Sequence, residues 1–163
     1  MEVSVAMPDD PLLCRQLAFN PRFHDTQSLI DELHEGIIDH RQLNEIAHTI
    51  QQTIHASETL QSYVVALWQA VRKPAAAGIH IDGVDMDRLV TAGASPRGIS
   101  YLVRTARVRA WLEGRDMLIP EDIRAVFGPV MGHRLFLDPI YELQREQLLP
   151  LLLQGVFQHV PTP

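Results

Sequence analysis

"TAGASPRGISYL" (residues 91–102) decides how this chain is to be read. Small residues run up to Ser95, Pro96 follows, and beyond it Ile99, Leu102, Val103, Ala106 and Ala110 recur at helical spacing. Ser95 stands just before that helix, where a hydroxyl can accept a backbone N–H. Pro96 suits the first helical position, because the donor it lacks would have no partner there. Arg97 is the anomaly. It falls in the first turn, where aligned peptide dipoles place partial positive charge and disfavour a cation. N–H groups left open at such a helix start make an anion site, and a phosphate there would give the arginine its partner. A neighbouring surface carboxylate would do so equally, and the residues alone leave both readings open.

The bulk of the chain is that of a soluble globular protein. Its 163 residues suffice for one ordinary domain with a core, at 46% hydrophobic and 21% charged residues. A net charge of -6 argues against a nucleic-acid partner held through its phosphates. Lys73 is the single lysine among 14 basic residues. Cys14 is the single cysteine; it excludes an internal disulfide, fits a reducing compartment and, on an apolar helix face, reads as a core residue. "MEVSVAMPDDP" (1–11) lacks the basic start and apolar run of a secretory signal. "LLPLLLQGVF" (148–157) is too short to span a bilayer and contains Pro150. A cytoplasmic chain with no membrane span is expected.

Helical spacing dominates, and no long run alternates apolar with polar residues. "DDPLLCRQLAF" (9–19) predicts a helix capped by Asp9 or Asp10, with Pro11 in its first turn. "NPRFHD" (20–25) is a turn. "TQSLIDELHEGI" (26–37) predicts a short helix with Leu29, Ile30 and Leu33 on one side, ending near Gly36. "DHRQLNEIAHTIQQTI" (39–54) puts Leu43, Ile46, Ala47 and Ile50 on one stripe. "SETLQSYVVALWQAVRK" (57–73) begins at a Ser57 cap, turns Leu60, Val64, Leu67, Trp68 and Val71 inward, and stops before Pro74. Residues 74–94, with glycines and an acidic cluster, read as a long loop that has room for a short strand at "GIHI" (78–81). The helix after Pro96 ends at "EGRD" (113–116), with Gly114 as a left-handed stop. Pro120 opens another, with Glu121 and Asp122 where the dipole favours acids. "GPVMGHRL" (128–135) is a short connection, and a last helix runs from about Asp138 to His159. The pattern predicts an all-α fold, a small helical bundle with at most a very short strand or hairpin.

Several chemistries are excluded outright. A phosphate-cradling G-x-x-x-x-G-K-[ST] loop needs a lysine before Ser or Thr, and the one lysine precedes Pro74. No G-x-G-x-x-G is present. In "HEGIIDH" (34–40) the two histidines are six positions apart, about 240° around a helix, so they cannot share a metal on one face. "IHIDGVD" (79–85) ends an apolar run in Asp82 but lacks an adjacent glutamate, and Gly83 argues for a turn. Asp82, Asp85 and Asp87 do not follow the twelve-residue calcium-loop pattern and read as a solvated acidic loop.

"GASPRG" (93–98), the helix after it and "EGRDMLIPEDIRAVFGPVMGHRL" (113–135) resemble the C-terminal part of the MoxR family of AAA+ ATPases. That family carries G-A-S-P-R-A, then G-R-x-Y-V-x-P-x-D-V, then V-L-x-H-R. Gly93 to Arg97, Gly114, Arg115, Pro120, Asp122, Ile123, Val130, His133 and Arg134 match. "SETLQSYVVALWQAVR" resembles the family's helix before the motif, "VSVAMPDDP" (3–11) its passage from ATPase core to lid, and "HVPTP" (159–163) its C-terminus. The departures are Gly98 for the usual Ala, Met117 for an aromatic, Met7 for a Tyr and a longer 74–92 loop. By propensity alone, Gly98 weakens the first turn by up to about 1 kcal/mol.

The resemblance implies an AAA+ lid domain over 9–159, with 1–8 as the end of the core-to-lid connection and 160–163 as a tail. It implies that Arg97 is the second sensor, contacting the terminal phosphate of ATP, with Ser95 and Pro96 positioning the helix start. ATP and Mg²⁺ would bind in the full-length protein, whose catalytic groups lie in the core, so this chain alone would not be catalytic. Implied partners are that core, a ring of copies and a von Willebrand factor A domain protein; the implied role is chaperone-like or cofactor-loading. The alternative is a stand-alone helical interaction module without nucleotide contact.

Overall fold

A computed structural model of the chain describes residues 1–3, 5–33 and 39–163. They divide into two compact units, Val3–Glu45 and a larger one of Met1–Glu2 with Ile46–Pro163. The predicted all-α bundle with a very short hairpin is what forms.

In the smaller unit, α1 (Pro11–Phe19) starts where Asp10 accepts the amide of Leu12, with Pro11 at its first position. The turn at 20–25 is a single 3-10 turn, and α2 (Thr26–Asp31) is capped by Asp25. The end of this helix expected near Gly36, and His34, lie outside the described residues. Cys14 corrects the sequence reading: it is exposed rather than in a core, and its thiol donates to the Pro8 carbonyl at 3.1 Å. No residue of α1 is buried, so its apolar stripe makes no core for Cys14 to join.

α3 (Leu43–Thr53) begins later than predicted, because Asp39 accepts the amide of Arg41 and closes a turn over 39–42. Of its predicted stripe only Ile50 is buried. α4 (Glu58–Arg72) follows the sequence closely: the Ser57 hydroxyl accepts the Leu60 amide at 3.2 Å, and Leu60, Val64, Leu67 and Val71 are buried. Lys73 caps its far end, its amide bonded to the Gln69 carbonyl.

The segment expected as a loop holds a helical turn, α5 (Met86–Leu89), capped by Asp85, and the strand β1 (Val90–Ala92). The strand therefore lies downstream of "GIHI". Ile81 to Val84 form a tight turn in which Gly83 takes φ +75, a conformation only glycine adopts at no steric cost. β1 pairs antiparallel with β2 (Phe136–Leu137), Val90 opposite Leu137.

α6 (Pro96–Leu112) and α7 (Pro120–Met131) form the centre. Leu102, Ala106, Ala110, Ile123, Phe127 and Met131 are fully enclosed between them, α4 and α9 (Arg145–His159). α7 runs on through Gly128 and Pro129, so "GPVM" is helix and only Gly132–Arg134 is a connecting 3-10 turn. The predicted last helix is two, α8 (Pro139–Glu142), capped by Asp138, and α9, separated at Gln144. Arg124 on α7 donates to the Tyr63 hydroxyl at 2.8 Å and to Thr162, fastening the final residues to the bundle. Among the described residues no helix is long and apolar enough to cross a membrane.

The α6–α7 corner is locked by a buried charge. Gly114 has φ +71, with its amide on the Trp111 carbonyl and that of Arg115 on the Ala110 carbonyl, the paired bonds that end a helix in a left-handed residue. The chain turns back so that both terminal nitrogens of Arg115 reach Asp122 at 2.6 Å. Asp122 is 1% exposed, and also accepts the Ile119 amide at 3.1 Å with Arg109 at 3.5 Å. Burial alone would raise its pKa; the hydrogen bonds from Arg115 and Ile119 and the charges of Arg115 and Arg109 outweigh it and hold the carboxyl below its ordinary 3.8.

A group held below its unfolded pKa stabilises the fold above that value and stops doing so as pH falls through the folded one. Asp122→Asn is therefore expected to cost about 2 kcal/mol at neutral pH, less than a fully enclosed pair because the Arg115 side chain is 31% exposed. The cost should shrink towards pH 3. Urea unfolding of residues 1–163 at both pH values measures this; an equal cost at both would contradict it.

Candidate functional site

Residues 93–95, just before α6, are held by α4. The Trp68 indole N–H donates to the Ala94 carbonyl at 2.7 Å. The Arg72 guanidinium lies over the Trp68 ring, 4.5 Å from its centroid, in cation–π contact. The Arg72 stem covers Gly93 so closely that a Cβ there would come within 2.3 Å of Arg72 Cγ, so a larger residue would have to push the Arg72 side chain aside. Ala94, in the turn from β1 into α6, is buried.

Ser95 stands at the cap position in extended backbone (φ -67, ψ 169), and Pro96 is the first residue of α6. The Ser95 hydroxyl, however, makes no capping bond, which corrects the sequence reading. The Gly98 amide it would accept is taken by Ser95's own carbonyl at 2.7 Å. Gly98 is also more than a weakened helix residue. A Cβ there would lie 2.8 Å from Ala94 Cβ, so its absence lets the first turn settle onto the preceding chain.

Arg97 follows, exposed, and its side chain has no hydrogen bond or ion pair among the described residues. Arg134 comes to the same turn: its Cδ lies 3.5 Å from where a Cβ on Gly98 would be, and its guanidinium sits 5.4 Å from the Tyr101 ring centroid. It donates to the Val130 carbonyl and touches the His133 ring. Burial and then the Arg134 charge hold the His133 pKa below its ordinary 6.5, so this ring is neutral at pH 7. No carboxylate pairs with Arg97 or Arg134 among the described residues. The start of α6 therefore brings together the Arg97 guanidinium, which has no partner among the described residues, and the Arg134 guanidinium, which has no acidic one, and guanidinium donors suit a phosphate group.

Ser95, Pro96 and Arg97, chosen from sequence, are contiguous here. The acidic residues are not a site: Asp85 caps α5, Asp82 lies 3.2 Å from His80, and the described residues hold no cluster able to take a metal. A cavity of about 550 Å³ beside Trp68, Arg72, Lys73 and His159 lies behind the turn and does not include Arg97. Sequence reasoning missed Trp68, Arg72 and Arg134. The available signal was Trp68 itself, since an indole N–H on a core-facing stripe needs an acceptor.

The AAA lid domain family matches residues 85–150, the span from the cap of α5 into α9. Over all 163 residues the chain is 53% identical to Protein MoxR of Methylorubrum extorquens and 49% identical to Protein MoxR of Paracoccus denitrificans, covering 48% of each. It is 35% identical over 105 residues, 64% of this chain, to Chaperone MoxR1 of Mycobacterium tuberculosis, covering 26% of that protein. A crystal structure from Cytophaga hutchinsonii superposes with a TM-score of 0.66 at 24% identity, over 85% of this chain and 44% of the other, and supports the fold. The chain spans about half the length of the two MoxR proteins it matches end to end.

The geometry separates two serines that occupy the same formal position. Ser57→Ala should cost about 1 kcal/mol, the usual worth of an N-cap, whereas Ser95→Ala should cost only a few tenths. Arg97→Ala should change stability by less than about 0.5 kcal/mol, as for other surface substitutions. Thermal unfolding of the three variants of residues 1–163 checks the order; an Arg97→Ala loss as large as that of Ser57→Ala would mark the arginine as structural.

Proposed function

We propose that the chain, similar over all its residues to MoxR proteins and carrying an AAA lid domain, is the nucleotide-sensing lid of a longer AAA+ ATPase of that family. In this reading Arg97 is the second sensor. It reaches the terminal phosphate of ATP held by a core domain, while Ser95 and Pro96 set where α6 begins. The observation that carries the reading is an arginine without a partner in the first turn of a helix whose dipole opposes it. A phosphate reverses that conflict: it is stabilised by the helix terminus and by a guanidinium that stays charged at every relevant pH.

The residues present fit the phosphate end of ATP and not the metal. Guanidinium nitrogens are anion ligands, and the described residues hold no cluster of three or more His, Cys, Asp or Glu side chains placed to take a metal ion. In this reading the phosphate cradle, the metal ligands and the water-orienting acid would be supplied by the core. When bound, ATP supplies the phosphoryl group whose charge must be stabilised during transfer. Arg97 contributes donors fixed in advance at that charge, and it links lid position to whether the terminal phosphate is present. Residues 1–8 are the end of the core-to-lid connection, and the assembly is a ring in the cytoplasm. The full-length protein has a chaperone-like or cofactor-loading role on a protein partner, one class being von Willebrand factor A domain proteins; nucleic acid is not a partner.

One observation favours the second reading, a helical interaction module without nucleotide contact: Leu12, Leu13, Leu17 and Phe19 of α1 are all exposed. Steady-state ATP turnover by the full-length protein separates the two. Arg97→Ala should cut turnover by about 10²–10³-fold, the loss typical of removing one preorganised donor to a transition-state oxyanion. Arg97→Lys should recover only part, since an ammonium lacks the planar fork. Unchanged turnover in Arg97→Ala favours the interaction module. Residues 1–163 alone should hydrolyse no ATP.

A further inference from the structure

We propose that Trp68 and Arg72, on α4, are positioning residues for Arg97; the inference rests on the reading of Arg97 as the nucleotide contact. The side chain of Arg97 touches nothing that holds it among the described residues, so its placement is set by the backbone at 94–96. That backbone is tied to α4 at one atom, the Ala94 carbonyl, by the Trp68 indole N–H at 2.7 Å. Arg72 keeps the donor in place. Its guanidinium stacks on the ring at 4.5 Å, and its Cβ, Cγ and Cδ close over Gly93, where an added Cβ would displace them. The two side chains stand one helical turn apart, at i and i+4, and act on adjacent residues of the turn. α4 is itself anchored in the core by Leu67 and Val71. The line of contact therefore runs from the core through Trp68 to Ala94 and on to the first turn of α6, while neither Trp68 nor Arg72 needs to touch nucleotide. Catalytic donors lose effect when displaced by an ångström or less, so loosening this tether should weaken what Arg97 does without removing it.

The variant that breaks the tether is Trp68→Phe in the full-length protein, since phenylalanine leaves a smaller aromatic face for Arg72 to stack on and removes the indole N–H together with its five-membered ring. Turnover should fall about tenfold, the scale of one lost hydrogen bond expressed in the transition state. The discriminating measurement is the double variant. In an Arg97→Ala background Trp68→Phe should have no further effect on turnover, because what it positions is gone. Gly93→Ala, which forces Arg72 off the turn, should behave the same way. If Trp68→Phe lowers turnover by the same factor with and without Arg97, its role is general and this inference fails while the nucleotide-contact reading stands. If Arg97→Ala alone leaves turnover unchanged, both fail together.

Discussion

A carboxylate in a protein interior must be paired, and the buried Asp122 governs the path of much of this chain. Its partner Arg115 comes from the other side of a helix ending, so the turn between α6 and α7 has to fold back, and Gly114 supplies the left-handed residue that allows it. The two helices then run antiparallel. Gly98 at the start of α6 comes to face Met131 and Arg134 near the end of α7. One ion pair at the closed end of the hairpin thus sets the surroundings of Arg97 at its open end.

Signals that act within one turn of helix were legible. Ser57, Asp10, Pro11, Pro96, Gly114 and Pro120 each sit where the sequence put them, because capping and helix termination depend on residues three or four apart. What escaped depends on partners brought in by tertiary folding. The strand at Val90–Ala92 is defined by Phe136–Leu137, far along the chain, and nothing local distinguishes it from "GIHI". Asp122 looked like a first-turn acid interacting with the dipole, and its pairing with Arg115 depends on how the intervening turn closes. Cys14 lies on an apolar stripe, and a stripe predicts burial only where a second surface covers it.

The candidate site divides along the same line. Ser95, Pro96 and Arg97 were identified because the conflict between an arginine and a helix dipole is visible in three adjacent letters. The elements that hold them were not. The spacing places Trp68 on the core stripe of α4; the side chain is half-buried, and its N–H reaches the Ala94 carbonyl. The Ser95 hydroxyl does not cap for a geometric reason: a backbone bond from the Gly98 amide to the Ser95 carbonyl pre-empts the side chain.

The scarcity of lysine gives this architecture a practical property. Lys73 is the one lysine of the chain, it is exposed, and it caps α4 immediately after Arg72. An amine-selective fluorophore therefore has one side-chain address besides the chain's own α-amino group, within a residue of the arginine stacked on Trp68. A polarity-sensitive dye attached there sits at the end of α4 beside the Arg72–Trp68 stack, and reports on the surroundings of that stack from a residue other than Arg97.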